Sequence, residues 1–418
     1  MIKHSLFLIL YIALCFPLSA QLTLEECQRE AQENYPLVRQ YRLIEQAENF
    51  SLSNAAKGNL PQLSLSGKAS YQSDATTLPF DIPGTDFHGM PKDQYQIMAE
   101  ISQNIWDGGN IQSRKQQIKA TSEEAERQLD VSMYALRQRV NQVFFGIILL
   151  DEQLNQNTLL NEELKRNLHD VSAYRDNGIA NDADVDAVRV EILNTRQQRI
   201  ALESSRATYI RMLALLTGKE LTDSIRLTRP QLPDENNPSA IHRPELRLYD
   251  AQEQTLDVRR RNLRTGYLPR FSLFAQGAYG NPGLNMLKDS FEPYFIVGAR
   301  MNWNFGSLYT LKNDKRKLET ERQQITSNRD LFLFNTRLQL AEQEGKLNTL
   351  QRQMAEDDEI IRMRTNIRRA AEAKVANGTL SVNEMLRELT AESLARQTKA
   401  QHEVQLLMEA YERKHLTN

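Results

Sequence analysis

The sequence is short of the residues that usually staple an exported chain or furnish an enzyme. Only two of 418 residues are cysteine, Cys15 and Cys27. Cys15 lies in an N-terminal segment that reads as removable, so the remaining chain keeps Cys27 alone and forms no intrachain disulfide; stability must come from packing and pairing. Charge of one sign is also missing: a formal net charge of −2 with 25% charged residues argues against a nucleic-acid surface and supplies no strong steering field. A mean hydropathy of −0.57 excludes a helical membrane protein. It does not exclude a β-barrel, whose alternating strands leave little hydropathy signal. The six histidines, His4, His88, His169, His242, His402 and His415, show no metal-ligand spacing, and no cysteine pair joins them. P-loop, nucleophile elbow and G-x-G-x-x-G helix opening are all missing. The expectation is a protein without cofactor or metal that is not an enzyme.

What is there begins with Lys3, an apolar run from Leu6 to Phe16, and Leu18-Ser19-Ala20 before Gln21. This reads as a secretory signal peptide over residues 1–20, cut after Ala20, and the run is too short for a retained spanning helix. Ile12-Ala13-Leu14-Cys15 makes a poor lipidation motif.

The chain then uses one stretch twice. Pro36 to Tyr71 returns at a constant offset as Pro244 to Tyr279, with identity at positions such as Arg39/Arg247, Tyr41/Tyr249, Asn54/Asn262, Gly58/Gly266, Leu60/Leu268, Pro61/Pro269, Ser64/Ser272 and Tyr71/Tyr279. Such ungapped agreement marks a duplicated structural unit. Each copy reads as a polar helix, a Gly-x-Leu-Pro break and an alternating strand. The division that follows is a first repeat over 21–218 with a β-hairpin at 62–106, a linker over 219–242, and a second repeat over 243–418 with a hairpin at 270–305.

Leu22 to Lys57 is helical in spacing, with Leu37, Tyr41, Ile44 and Ala47 apolar, and Pro61 ends it. Cys27 is expected there as a small buried hydrophobe. From Gln62 the period becomes two: Leu63, Leu65, Gly67, Ala69 and Tyr71 alternate with serines and Lys68. After a turn-rich loop, Leu78 to Asp93, a second run places Tyr95, Ile97, Ala99, Ile101 and Ile105 on one side. The second copy repeats this with Phe271 to Tyr279 and Phe295 to Phe305. Runs of about ten residues suit tilted strands that cross a bilayer, and Tyr71, Tyr95, Trp106, Phe271, Tyr279, Tyr294 and Trp303 suit an interfacial girdle. An ordinary soluble hairpin is the bland alternative for any one of them.

After Trp106-Asp107-Gly108-Gly109, apolar residues from Leu129 through Val140, Ile147 and Leu164 to Val171 keep an alternating three-four spacing, with Asn157 and Asn161 among them. This is a coiled-coil seam on a helix about 100 Å long. Asn177-Gly178 ends it, a helix follows from Asp182 to about Leu216, and the second repeat has a long helix from about Leu308 to Val375, Asn377-Gly378, and a last helix from about Val382. Four strands cannot close a barrel, and open edges are not tolerated in hydrocarbon. The protein must therefore oligomerise, giving a membrane ring continued on one side by a helical tube.

The paired Leu60–Ser64 and Leu268–Ser272 strand starts, Gln103-Asn104-Ile105-Trp106-Asp107-Gly108-Gly109, Leu215-Leu216-Thr217-Gly218 and the two Asn-Gly breaks stand in an order that resembles the outer membrane efflux protein family, the TolC-like outer membrane factors. The resemblance covers about residues 22 to 414. It implies a mainly α fold with transmembrane β: an internally duplicated coiled-coil barrel of long helices plus four β-strands per protomer, three protomers sharing a twelve-stranded outer-membrane β-barrel. It further implies a passive exit duct of an efflux or type I secretion system, set in outer-membrane lipid with its helical part in the periplasm. The implied partners are two more copies of the chain, making a homotrimer, a periplasmic adaptor (membrane fusion protein) and, through it, an inner-membrane pump of RND, ABC or MFS type. The docking tips carried over are Asn177, Gly178, Ile179 and Asn377, Gly378, Thr379, Leu380, and the gate acids are Asp184 and Glu384. Where the family often has a second acid this chain has Arg387, which can pair with Glu384 instead. For Asp182, Asp184 and Asp186 the bland reading is helix N-terminal acids that offset the dipole. Asn377-Gly378-Thr379 matches a glycosylation sequon, but its duplicate Asn177-Gly178-Ile179 does not, so turn formation explains it better. Arg259-Arg260-Arg261 reads as a solvated helix face. The alternative function is a soluble periplasmic coiled-coil adaptor or scaffold.

Overall fold

A computed structural model describes residues 22–74, 91–233, 240–286 and 288–418. The segment read as a signal peptide, His4, His88, most of the loop from Leu78 to Asp93 and part of the linker lie outside the described residues.

The first repeat opens with α1 (Leu24–Asn34) and α2 (Arg39–Ala56), separated by a short 3-10 turn at Pro36–Val38. The sequence suggested one helix here. Pro36 cannot donate a backbone hydrogen bond and restricts the residue before it, so the first helix stops at Asn34. Then come β1 (Gln62–Tyr71), β2 (Asp93–Trp106), the 67-residue α3 (Asn110–Asp176) and α4 (Asp182–Thr217). The second repeat follows the same plan with α5 (Pro244–Asn262), β3 (Arg270–Asn281), β4 (Glu292–Asn302), the 70-residue α6 (Ser307–Ala376) and α7 (Val382–Thr417).

Two compact units arise, and neither coincides with a repeat. One takes its described residues from up to Arg39, Leu129–Pro244 and Asp330–Asn418; the other comprises Gln40–Gln128 and Glu245–Arg329. Each unit therefore draws on both halves of the duplicated sequence.

The helical unit is built on the seam read from the sequence. Leu129, Met133, Leu136, Val140, Val143, Ile147, Leu164 and Val171 of α3 are buried. Asn157 is also fully buried in the seam, and its amide donates to the Thr195 carbonyl of α4 at 3.0 Å. At Gly146 the Tyr209 ring of α4 packs so close that an added Cβ would stand 2.3 Å from it, so a larger residue in α3 would have to displace that ring. Cys27 on α1 is fully buried. Burial, with the carboxylates of Glu30 and Glu26 nearby, pushes its thiol up to about 12, which makes it a packing residue. Arg206 of α4 fastens the start of the linker: it pairs with Asp151 of α3, and its Nη2 donates to the Ile225 carbonyl at 2.8 Å.

The other unit contains a four-stranded antiparallel sheet in the order β1-β2-β3-β4. The two hairpins join through β2 and β3, where Ile97 faces Tyr279 and Ile101 faces Ala275. This ladder ends in a bulge between Asn104 and Trp106. Among the described residues β1 and β4 each keep one unpaired edge.

Candidate functional site

Two features carry the chemistry of the molecule: the turns that join the long helices in pairs, and the two faces of the sheet.

Both helix turns are built alike. After α3, Gly178 takes φ +76°, its N–H donates to the Arg175 carbonyl at 3.0 Å and the Ile179 N–H donates to Tyr174 at 2.8 Å. After α6, Gly378 takes φ +66°, with Gly378 to Val375 and Thr379 to Lys374 both at 2.9 Å. These are Schellman closures, in which the left-handed residue is best glycine and the last carbonyls are satisfied. Asn177 and Asn377 add side-chain donation to the carbonyls of Ala173 and Ala373.

The chain re-enters a helix through a capping box each time. The Asn181 side chain accepts from the Asp184 N–H at 3.0 Å while Asp184 accepts from the Asn181 N–H at 3.0 Å. Ser381 and Glu384 repeat the exchange at 3.2 Å in both directions. Hydrogen bonds from the Ser381 hydroxyl and backbone hold the Glu384 carboxyl below its usual range, with a smaller contribution from the charge of Arg387. No ion pair joins Glu384 to Arg387 among the described residues; Arg387 is exposed.

The two turns sit on one apolar cluster. Leu164 and Val171 of α3, Val185 and Val188 of α4, Val375 of α6, and Val382, Met385 and Leu389 of α7 are among its buried members, with Ala180 and Leu380 packed at its edge. Asn177, Gly178, Ile179, Asn377, Gly378 and Thr379 remain exposed, whereas Leu380 is half-buried. Beyond the cap, α4 and α7 flank a groove of about 590 Å³ that Ala187, Val190, Leu386, Arg387 and Leu394 line.

Sequence reasoning missed an ionic cluster behind these turns. Glu392 of α7, 5% exposed, accepts from Thr365 at 2.7 Å, Arg368 at 2.5 Å and Arg396 at 2.6 Å. Arg368 of α6 also reaches Glu163 of α3 at 2.9 Å. Burial works against the Glu392 charge, yet the hydrogen bonds from Arg396, Thr365 and Arg368 hold its carboxyl below the usual range. The sequence shows only acids and bases at four-residue spacing here, the pattern of a solvated helix.

The sheet is apolar and bare on one side. Leu63, Leu65, Ile97, Ile101, Leu273, Val297 and Met301 share a face by register, and all are exposed large hydrophobics. Tyr71, Tyr95 and Tyr279 flank this aliphatic band at one end, where Phe291 stacks near Tyr95 and Tyr279 with ring centroids 6.3 and 5.7 Å away. Trp106, Phe271 and Trp303 lie toward the other end, with the Trp106 and Phe271 rings 6.0 Å apart and Trp303 donating to the Tyr267 carbonyl at 3.0 Å. Tyr294 is a correction to the aromatic set. It pairs with Ala278, on the opposite face, and its hydroxyl accepts from Gln96. Pro293 and Phe295 occupy the apolar side, so the residue between them must point away. That opposite face carries Ser64, Ser66, Lys68, Gln96, Glu100, Gln276 and Arg300 by the same registers.

No described helix is long and apolar enough to cross a membrane, and the described residues hold no cluster suited to a metal ion.

The family profile described as outer membrane efflux protein matches residues 28–219. No curated protein matches the chain in sequence. Among solved structures, the outer membrane protein VceC from Vibrio cholerae superimposes with a TM-score of 0.68 at 12% identity, over 94% of this chain and 96% of that one. The CmeC outer membrane channel of Campylobacter jejuni gives 0.64 at 13% identity, over 94% and 85%. The MtrE outer membrane channel of Neisseria gonorrhoeae, solved in its open state, gives 0.64 at 13%, over 94% and 89%. The resemblance read from the motifs is thereby shown: the chain matches the outer membrane efflux protein family in sequence over residues 28–219 and has the fold of bacterial outer membrane channels over nearly its whole length.

Proposed function

We propose that the protein is a passive outer-membrane conduit of a multipartite efflux or type I secretion system, working as a homotrimer whose three sheets close a twelve-stranded barrel and whose helices extend into the periplasm. The observation that carries this reading is the continuous bare apolar face across four strands, bounded by aromatics at both ends and by two open edges. From Tyr95 to Trp106 a strand tilted by about 45° rises roughly 25 Å, the height of an outer-membrane apolar band. Backbone groups on an open edge lack water in hydrocarbon, and each unsatisfied group costs several kcal/mol there, so neighbouring copies must supply the missing strands.

The exposed turns, Asn177-Gly178-Ile179 and Asn377-Gly378-Thr379 with Leu380 behind, are the docking points for a periplasmic adaptor. The adaptor in turn meets an inner-membrane pump of RND, ABC or MFS type. Asp184, Glu384 and Arg387 are the candidates for lining the closed end. Each acid caps its own helix, so a movement that opens the end must carry the cap with it. Gating is a loosening of the paired helices at the turns when the adaptor binds.

Conductance in a planar bilayer, together with an SDS-resistant oligomer of three chains, tests the conduit. A soluble periplasmic adaptor or scaffold would need its apolar sheet covered. Release from the outer membrane without detergent, as a monomer, would establish that alternative and remove the conduit.

A further inference from the structure

Alternation and turns do not account for one strand junction in this sheet. β1 and β2 are neighbours along the chain, as are β3 and β4, whereas β2 and β3 come from different repeats. Hydrophobic alternation forbids a one-residue slip there, because that would turn every apolar side chain to the polar face. A slip by two residues keeps both faces intact, so patterning leaves the junction undetermined.

The polar face holds what chooses among these registers. Glu100 of β2 stands opposite Gln276 of β3, whose amide donates to its Oε2 at 2.5 Å. Arg300 of β4 reaches across β3 to the same carboxylate, Nη1 to Oε1 at 3.0 Å and Nη2 to Oε2 at 3.3 Å, with its guanidinium 4.6 Å from the centre of the Phe274 ring. Tyr294, also on β4, reaches across β3 in the same way to the Gln96 amide of β2. Small residues lie beneath this crossing: Ala278 faces Tyr294 and Gly280 faces Gln96. A Cβ on Gly280 would stand 2.6 Å from the Tyr95 carbonyl oxygen. A two-residue slip either way puts Phe274 or Ala278 opposite Glu100 in place of Gln276.

We propose that Glu100, gripped at once by Gln276 and Arg300 and supported by the Gln96–Tyr294 rung, is the positioning residue that sets the register between the two repeats. A charged bidentate pair has the geometric specificity this requires. On this account the polar side of the sheet carries the instruction that joins the duplicated halves, and the apolar side only states which way they face.

Disulfide mapping in outer-membrane fractions of the full chain tests it. Gly277 has nothing within 4 Å of an added Cβ and faces Ala99. G277C with A99C therefore reports the native register, and G277C with I97C or I101C reports a two-residue slip in either direction; opposed Cβ atoms in antiparallel strands lie within disulfide reach. With Glu100 and Arg300 in place only the 277–99 link should form. In an E100A/R300A background a slipped link should appear to a comparable extent, and the charge exchange E100R/R300E should restore the native link alone. Exclusive 277–99 linkage in E100A/R300A overturns the proposal. Should that variant fail to reach the membrane, the exchange decides: return of the native link supports the proposal, and continued loss overturns it. The readout requires no conductance, so a negative bilayer recording would count against the conduit and leave this register assignment untouched.

Discussion

The Cγ2 methyl of Ile179 stands 3.8 Å from the point a Cβ on Gly378 would occupy, so the turn of the first repeat lies beside the turn of the second. Gly178 has open space around it, and the cost of replacing it is therefore purely one of backbone. Gly178→Val should lose about 1–2 kcal/mol through the left-handed conformation, and Gly178→Asn less, since Asn tolerates it. Thermal melts of the detergent-solubilised protein measure the difference. Efflux complementation should fall for G178V and G378V alike, and unimpaired efflux in both would remove the turns as docking points.

Glu392 gives the helical unit an acid-sensitive element. Its folded carboxyl titrates below its unfolded range, so the stabilisation is fully present above the unfolded value, near pH 4.3, and is lost as pH falls through the folded one. Melting temperatures followed from neutral pH to about pH 3 should drop more steeply for the parent than for Glu392→Gln. At neutral pH, Glu392→Ala should cost about 1–3 kcal/mol, because Thr365, Arg368 and Arg396 lose a shared acceptor while Arg368 keeps Glu163.

Glu412 carries the opposite sign. Burial, with Glu409 nearby, raises its carboxyl, although a hydrogen bond from Gln138 at 2.6 Å opposes the shift. The fold therefore favours the protonated form, and stability is lost as pH rises through the raised value. Glu412→Gln should melt higher than the parent at neutral pH, and the gap should close in acid. A variant that melts lower at neutral pH would show that the Gln138 hydrogen bond outweighs desolvation.

The sheet faces are tested by charge. Leu65→Arg places a guanidinium in the aliphatic band and should cost about 2–4 kcal/mol of membrane stability, read as loss of the heat-modifiable oligomer. Ser66→Arg, one residue along and on the other face, should assemble normally. Equal assembly of the two would mean that lipid does not contact the Leu65 side.

Cys27 should resist maleimide at pH 8 in the folded protein and react fully in denaturant, because burial and two neighbouring carboxylates hold its thiol at about 12 and only the thiolate attacks. Mass shifts before and after unfolding report this directly.

Much of the architecture was legible because it rests on short-range rules. Alternation around Leu63 and Ile97 marked the strands, the Leu129 to Val171 spacing marked the seam, and Gly178 and Gly378 marked the helix ends. Side-chain parity also bore on Tyr294: Phe295 next to it belongs to the apolar side, so Tyr294 had to fall on the other, and an inventory of aromatics concealed this. The cluster around Arg368 was not legible. Its members come from three helices, and acids and bases four residues apart look the same whether water or protein surrounds them. Nor did the repeat boundaries reveal that each compact unit takes segments from both halves, because that is decided by long-range packing.

The two turns share a backbone yet differ in their outward side chains, among them Ile179 in the first and Thr379 in the second. In a threefold assembly they would alternate around the rim as three greasy and three hydroxylated stations. A partner bearing a single kind of contact surface would thus meet two unequal berths, and would occupy the set in two stages of affinity unless it bridged an adjacent pair.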